Sequence, residues 1–249
     1  MYLRNKKILI TGGLGGIGSK IIKRLIELKA QIIVIDINKD ISSSFKKKYP
    51  SHQFYVCDIS NNKNLNNTLL KIFKKNNKID ILINNVGILH NEPIVTMSNK
   101  GFKSHSFSSW KKVLDINLNA SFFISSIIIK NMIENKTEGN ILNISSISAE
   151  GNIGQSAYAA SKAALNALTK TWSKELSYAK IRVNSISPGF IETNSTKSIL
   201  SKNKLSQIIK NTPAGRLGKP DEIVSLIIEI LKNDFINGSI FKIDGGLQL

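Results

Sequence analysis

The stretch Thr11-Gly12-Gly13-Leu14-Gly15-Gly16-Ile17-Gly18 packs five glycines into eight positions. It joins a short apolar run, Lys7 to Thr11, to a segment with apolar residues at Ile17, Ile21, Ile22, Leu25 and Leu28. That spacing predicts a buried strand turning directly into a helix over Ile17 to Lys29. Any tight turn uses glycine, so Gly13-x-Gly15-x-x-Gly18 taken alone says little. Between a strand and a helix it says more. Glycine lets the backbone come close to a pyrophosphate, and the helix N-terminus supplies oriented N–H donors and positive potential.

The same alternation continues along the chain. Gln31–Asp36, His52–Cys57, Ile79–Ile83, Ile141–Ile144, Ile181–Ile186 and Ile240–Ile243 read as further strands. Helical patterns cover Leu65–Phe73, Phe107–Ile133, Gln155–Tyr178 and Asp221–Leu231, and a longer connection, Ile88 to Ser106, precedes the second of these. Alternating strands and helices predict an α/β fold: a single Rossmann-type, doubly wound domain over 1–249 with a seven-stranded parallel sheet flanked by helices. Ligands in such sheets sit beyond the carboxyl ends of the strands, where the strand order switches.

Composition narrows the function classes. The net charge is +18, but the lysines are scattered in short groups such as Lys46-Lys47-Lys48, and aromatic residues are only 7%. No aromatic stacking platform interleaves with the basic groups, so the charge reads as solvated surface that steers anionic substrates, and no nucleic-acid partner is expected. The longest apolar run, Phe122 to Ile129, is broken by Ser125 and Ser126, and no membrane span is expected. The N-terminus carries no cleavable signal pattern, and the single Cys57 fits a reducing compartment, so a cytoplasmic location is expected. His52, His90 and His105 show no metal-ligand spacing. No metal site is expected, and His90 and His105 read as surface or subunit-contact residues.

Four further positions carry chemistry. Asp36 ends the second strand, where a carboxylate can accept both ribose hydroxyls of NAD and repel the 2′-phosphate of NADP. Asp58 follows the third strand, where a carboxylate either faces a ligand or caps the next helix, as Ser60 could. Tyr158 and Lys162 stand four apart on a helix, so phenol and ammonium project into one crevice. A cation about 4 Å away is worth roughly 4 kcal/mol at an effective dielectric of 20. With the help of a positive nicotinamide, that is enough to bring a phenol of ordinary pKa near 10 toward neutral pH.

Tyr158-Ala159-Ala160-Ser161-Lys162 follows Asn143-Ile144-Ser145-Ser146 and Gly154-Gln155-Ser156-Ala157. With Thr11–Gly18, Asn84-Asn85-Val86-Gly87, Asn117, Arg182-Val183-Asn184, Pro188-Gly189 and Asp244-Gly245-Gly246, this order of motifs resembles the short-chain dehydrogenase/reductase family over essentially the whole chain. The family usually has alanine at Val86. Pro213-Ala214-Gly215-Arg216-Leu217-Gly218 is similar to bacterial 3-oxoacyl-carrier-protein reductases.

The resemblance implies a catalytic group of Asn117, Ser146, Tyr158 and Lys162. Tyr158 would be the general acid/base. Lys162 would lower its pKa and bind the nicotinamide ribose, a serine would hold the substrate oxygen, and Asn117 would hold a water in the proton relay. Counting forward from Gly139 gives Ser146, and counting back from Tyr158 gives Ser145. Ser146 is preferred, because a loop loses a residue more easily than a strand slips register. The implied cofactor site comprises Gly12, Leu14, Gly16, Ile17, Gly18, Asp36, Asp58, Ile59, Asn85, Val86, Gly87, Tyr158, Lys162, Pro188, Gly189, Ile191 and Thr193. Ile191 and the Thr193 hydroxyl would meet the nicotinamide carboxamide, the Asp58 carboxylate would meet the edge of the adenine ring, and a substrate lid would lie around 190–215.

The function expected is NAD(H)-dependent interconversion of a secondary alcohol and a ketone, with NADP disfavoured and 3-oxoacyl or 3-hydroxyacyl thioesters among the candidate substrates. A non-catalytic NAD-binding regulator on the same fold is the alternative. A pure sensor has no need of the intact serine–tyrosine–lysine–asparagine set. The long helices carry more apolar positions than one sheet face covers, so a homotetramer or homodimer is expected.

Overall fold

The computed structural model describes residues 1–99 and 101–249, and of 41, 42, 195, 197 and 199 the backbone alone. The strands are β1 (Lys7–Thr11), β2 (Gln31–Asp36), β3 (Gln53–Val56), β4 (Ile81–Asn84), β5 (Val95–Ser98), β6 (Gly101–Ser104), β7 (Asn140–Ile144), β8 (Arg182–Pro188) and β9 (Ile240–Ile243). The helices are α1 (Gly16–Glu27), α2 (Lys39–Lys48), α3 (Asn62–Asn76), α4 (Phe107–Leu114), α5 (Ala120–Glu134), α6 (Ser156–Glu175), α7 (Asn194–Ile199), α8 (Lys202–Asn211) and α9 (Pro220–Lys232).

Seven strands form one parallel sheet in the order β3-β2-β1-β4-β7-β8-β9. β1 lies between β2 and β4, so successive connections leave it in opposite directions and a crevice opens at its carboxyl end. The period-2 geometry of each strand divides its apolar residues between the two faces. Ile8 and Ile10 of β1 pack with Ile21, Ile22 and Leu25 of α1 and with Ile223 and Ile227 of α9. Leu9 packs on the other face with Leu65, Leu69 and Ile72 of α3 and Ile124, Ile128 and Met132 of α5. Each such side chain contributes about 1.5–3 kcal/mol by leaving water, which is why strands covered on both faces read as unbroken apolar runs.

The structure departs from the sequence reading in several places. The helix expected over Phe107–Ile133 is broken into α4 and α5 by a wider π turn, Asp115–Asn119. The extra residue in that turn brings Asn117 inward, where it is fully buried. The helix expected to reach Tyr178 ends at Glu175, and a short 3₁₀ turn, Ser177–Ala179, follows.

The Ile88–Ser106 connection contains an antiparallel hairpin of β5 and β6, exposed on both faces, so no burial pattern marked it in the sequence. The 194–211 segment is helical, as α7 and α8. Against the expectation of no membrane-length apolar segment, Phe107–Glu134 is long and apolar enough to cross a membrane, with mean hydropathy 1.4 over its most apolar window. Its inward residues Ile124, Ile128 and Met132 belong to the core between sheet and helices.

Candidate active site

The glycine turn is shaped by close approach. Gly12 has φ +63°, and a Cβ there would stand 2.8 Å from Val86 Cγ2. A Cβ on Gly18 would meet the Gly12 carbonyl oxygen at 2.5 Å. Side chains at these two positions would push the turn off the sheet and the helix off the turn. α1 begins at Gly16 with no side-chain cap, so its first N–H groups are available to an anion.

From this turn a groove of about 610 Å³ runs between the ends of β1, β2 and β4. Gly12, Leu14, Gly16, Ile17, Gly18, Asp36, Asp58, Ile59, Asn85, Val86, Gly87, Tyr158 and Thr193 line it. It meets a second cavity of about 240 Å³, whose walls include Lys162, Pro188, Gly189, Ile191, Ser145 and Ser146. Every cofactor-site residue named from the sequence therefore lies in one cavity or the other. Their size, the uncapped helix terminus and the acidic rim fit an extended dinucleotide with its pyrophosphate at α1.

Asp36 stands at the rim. Its Oδ2 accepts the Leu14 N–H at 2.9 Å and its Oδ1 accepts the Asn38 N–H at 3.0 Å. Asp58 does not cap α3. Its Oδ1 accepts the Ser60 N–H and hydroxyl, while Asn61 caps the helix by accepting the Asn64 N–H. Asn85 braces the turn by donating to the carbonyls of Gly12 and Thr11. Thr193 caps α7, its hydroxyl oxygen accepting the Thr196 N–H at 3.1 Å, so the expected nicotinamide contact shares this oxygen with a helix cap.

Tyr158 and Lys162 share the inward side of α6. The Tyr158 phenol and the Ser146 side chain line the same inner cavity. Lys162 Nζ donates to the Ile144 carbonyl at 2.7 Å and lies 5.7 Å from the Tyr158 ring centre. Burial with no carboxylate partner pulls the lysine down to about 8. Burial also pushes the Tyr158 phenol up, and the Ser146 hydroxyl opposes this. The net push on the phenol in the free chain is therefore upward. A low-dielectric site disfavours the charged form of both groups, while a lysine near 8 is still mostly protonated at neutral pH and keeps its charge close to the phenol.

Ser145 and Ser146 part company. Ser145 is buried and donates to the Lys162 carbonyl at 3.0 Å, tying β7 to α6. Ser146 also accepts the Ser148 N–H, which fixes its rotamer. Asn117 lines neither cavity. Its Oδ1 accepts the Ile88 N–H at 2.8 Å, and its Nδ2 donates to the Ile88 carbonyl at 3.0 Å and to Ser161 Oγ.

Leu89 and Gln155, which no site motif marked in the sequence, also line the inner cavity, as does Phe190 of the expected lid. The His90 side chain is 37% exposed, in keeping with the expected surface or subunit-contact position. The His105 side chain is only 7% exposed, and His90 Nε2 lies 2.9 Å from Glu92 Oε2.

A doubly wound parallel sheet with these groups gathered at its switch point defines a Rossmann-type oxidoreductase that uses a nicotinamide dinucleotide on CH–OH groups. The chain belongs to the short-chain dehydrogenase/reductase family. A family model described as enoyl-(acyl carrier protein) reductase matches residues 12–248. The chain is 34% identical to the 3-oxoacyl-[acyl-carrier-protein] reductase of Thermotoga maritima over 256 aligned positions, covering 100% of both chains. It is also 34% identical to the 2-dehydro-3-deoxy-D-gluconate 5-dehydrogenase of Bacillus subtilis, over 98% of this chain and 95% of that protein. Among solved structures it is similar to a 4-hydroxyisoleucine dehydrogenase complexed with NADH, with TM-score 0.88 and 36% identity over 97% of this chain and 98% of that one. A short-chain dehydrogenase from Leptospira borgpetersenii with bound NAD+ also matches, with TM-score 0.88 and 28% identity over 100% and 94% of the two chains.

Proposed function

We propose that this protein interconverts a secondary alcohol and a ketone, with NAD(H) preferred over NADP(H) and a 3-oxoacyl or 3-hydroxyacyl thioester as the leading substrate class. The observation that carries the reading is the placement of Tyr158 where the two cavities meet, with Ser146 and Lys162 lining the inner one beside it. The dinucleotide, when bound, accepts or gives the hydride. Tyr158 moves the proton at the substrate oxygen, and Ser146 donates a hydrogen bond to that oxygen. Lys162 anchors the nicotinamide ribose and supplies positive charge behind the phenol. Asn117, by gripping Ile88 beside Lys162, would position the relay that returns the proton to solvent. Residues 190–215 close over the substrate, and 1–249 act as one domain.

The apolar Phe122, half exposed beside Trp172, supports assembly through the α4–α5 and α6 faces as a dimer or tetramer. Light scattering at micromolar concentration is expected to show that assembly, and a stable monomer would refute it.

The reading is tested by following NADH absorbance across a panel of 3-oxoacyl thioesters, keto sugars and small ketones. Tyr158→Phe is expected to lose at least about a hundredfold in turnover while NADH affinity stays within a few-fold. Retention of more than about a tenth of wild-type turnover would remove the proton-transfer role.

A further inference from the structure

We propose that His90, Glu92 and His105 form a divalent-cation site of the zinc type that clamps the base of the β5–β6 hairpin. His90 Nε2 lies 2.9 Å from Glu92 Oε2, and His105 Nδ1 lies 3.6 Å from the same oxygen. One donor atom from each residue lies within 4.8 Å of the others, and among the described residues this is the one such group of histidine, cysteine and acidic side chains. Ligands about 2.0–2.1 Å from a tetrahedral zinc are roughly 3.3 Å apart, so a shift of about 1 Å closes the set. Two imidazoles and one carboxylate suit zinc and its neighbours in the first transition row far better than magnesium or calcium, which take oxygen ligands.

The surrounding backbone holds the donors in place. Glu92 Oε1 accepts the Ser106 N–H at 3.0 Å, its own N–H donates to the Gly154 carbonyl at 2.7 Å, and the His105 N–H donates to the Ile94 carbonyl at 2.9 Å. His90 and Glu92 enter the hairpin and His105 leaves it, so a shared ion cross-links its two legs. The Ser106 carbonyl, 3.0 Å from His105 Nδ1, is the contact the cation displaces.

The clamp also bears on the active site. Ile88, two residues before His90, is gripped by Asn117. Asn91 accepts a bond from Gln155, and Gln155 and Leu89 line the inner cavity. A cation at the hairpin base therefore stiffens the wall that the substrate meets.

The experiment is calorimetric titration of the EDTA-treated, dialysed protein with ZnCl₂ alone, with MgCl₂ as control. One Zn²⁺ per chain with Kd below about 1 μM is expected. The His90→Gln/His105→Gln double variant, checked for unchanged NADH binding, is expected to lose at least about a hundredfold in affinity. Hydrogen exchange of amides 95–104 should slow with zinc in the wild type only. Zinc binding that survives in the double variant places the ion elsewhere and overturns the proposal. No zinc binding by the wild type reduces the cluster to a hydrogen-bonded clamp and overturns the site, and equal exchange with and without zinc overturns the clamping of the hairpin.

Discussion

The Asn117 carboxamide grips Ile88 by both its N–H and its C=O, bridging the π turn that ends α4 and the segment leaving β4. A Cβ on Gly87, the residue before Ile88, would lie 3.1 Å from Lys162 Nζ and 3.7 Å from Asn117 Oδ1. The grip thus fixes the floor beneath the lysine. Asn117→Ala strips partners from both Ile88 groups, at about 1–3 kcal/mol for each one left unsatisfied. A loss of about 3 kcal/mol, or roughly 6–12 °C in Tm for a chain this long, is expected together with loss of turnover. A Tm within about 2 °C of wild type would show that water replaces the grip.

The two adjacent serines are expected to separate in function. Ser146→Ala should cut turnover by roughly a hundredfold, because its hydroxyl faces the cavity shared with Tyr158, and should cost about 1 kcal/mol through the lost cap on the Ser148 N–H. Ser145→Ala should cost about 1 kcal/mol through its bond to the Lys162 carbonyl, with turnover within a few-fold of wild type. Steady-state rates of the pair distinguish the roles, denaturant midpoints check the two costs, and the reverse pattern of rates would assign the substrate contact to Ser145.

Lys162 gives a pH signature. Its ordinary pKa of 10.5 is pulled to about 8 by burial. Between those values the unfolded chain binds the proton more fully than the folded one, so stability rises with pH. Below about pH 8 the folded chain carries the whole cost of a buried cation, about 3 kcal/mol, and that cost fades toward pH 10.5. Unfolding free energies of wild type and Lys162→Met, measured by denaturant from pH 7 to 10, should therefore shift in favour of wild type as pH rises. A constant difference across the range would contradict a depressed lysine.

Asp36 is expected to set cofactor choice. Its carboxylate faces the groove at the end of β2, held by Leu14 and Asn38. Charge-assisted bonds to two ribose hydroxyls contribute roughly 1.5–3 kcal/mol each, and a 2′-phosphate replaces one of them with repulsion. A difference of about 3 kcal/mol is a preference above a hundredfold in catalytic efficiency for NADH over NADPH. Asp36→Ser should narrow or reverse it. Comparable efficiencies in the unmodified enzyme would show that the carboxylate does not read the ribose.

Local chemistry carried most of the fold in the sequence. Apolar runs that end in glycine or asparagine located β1 and β4. Helical spacing located α1, α3 and α9, and the parallel order followed from their alternation. Most of the positions that line the two cavities were legible for the same reason. They sit at strand ends and in the turn, within a few residues of the pattern that identifies them.

Tertiary contacts decided the rest. The π turn exists because Asn117 reaches a backbone 29 residues earlier in the chain, and no local propensity encodes that reach. That Ser145 is tied to α6 while Ser146 is not depends on which hydroxyl the packed helix covers. Tyr158 and Lys162 were correctly paired by their spacing, but the direction of their pKa values came from burial, which spacing does not report. His90, Glu92 and His105 showed no ligand pattern, because a hairpin exposed on both faces separates them in sequence and brings their ends together in space. Sequence fixes what the backbone does over a few residues; which distant groups meet, and how much water remains around them, follows only from the packed chain.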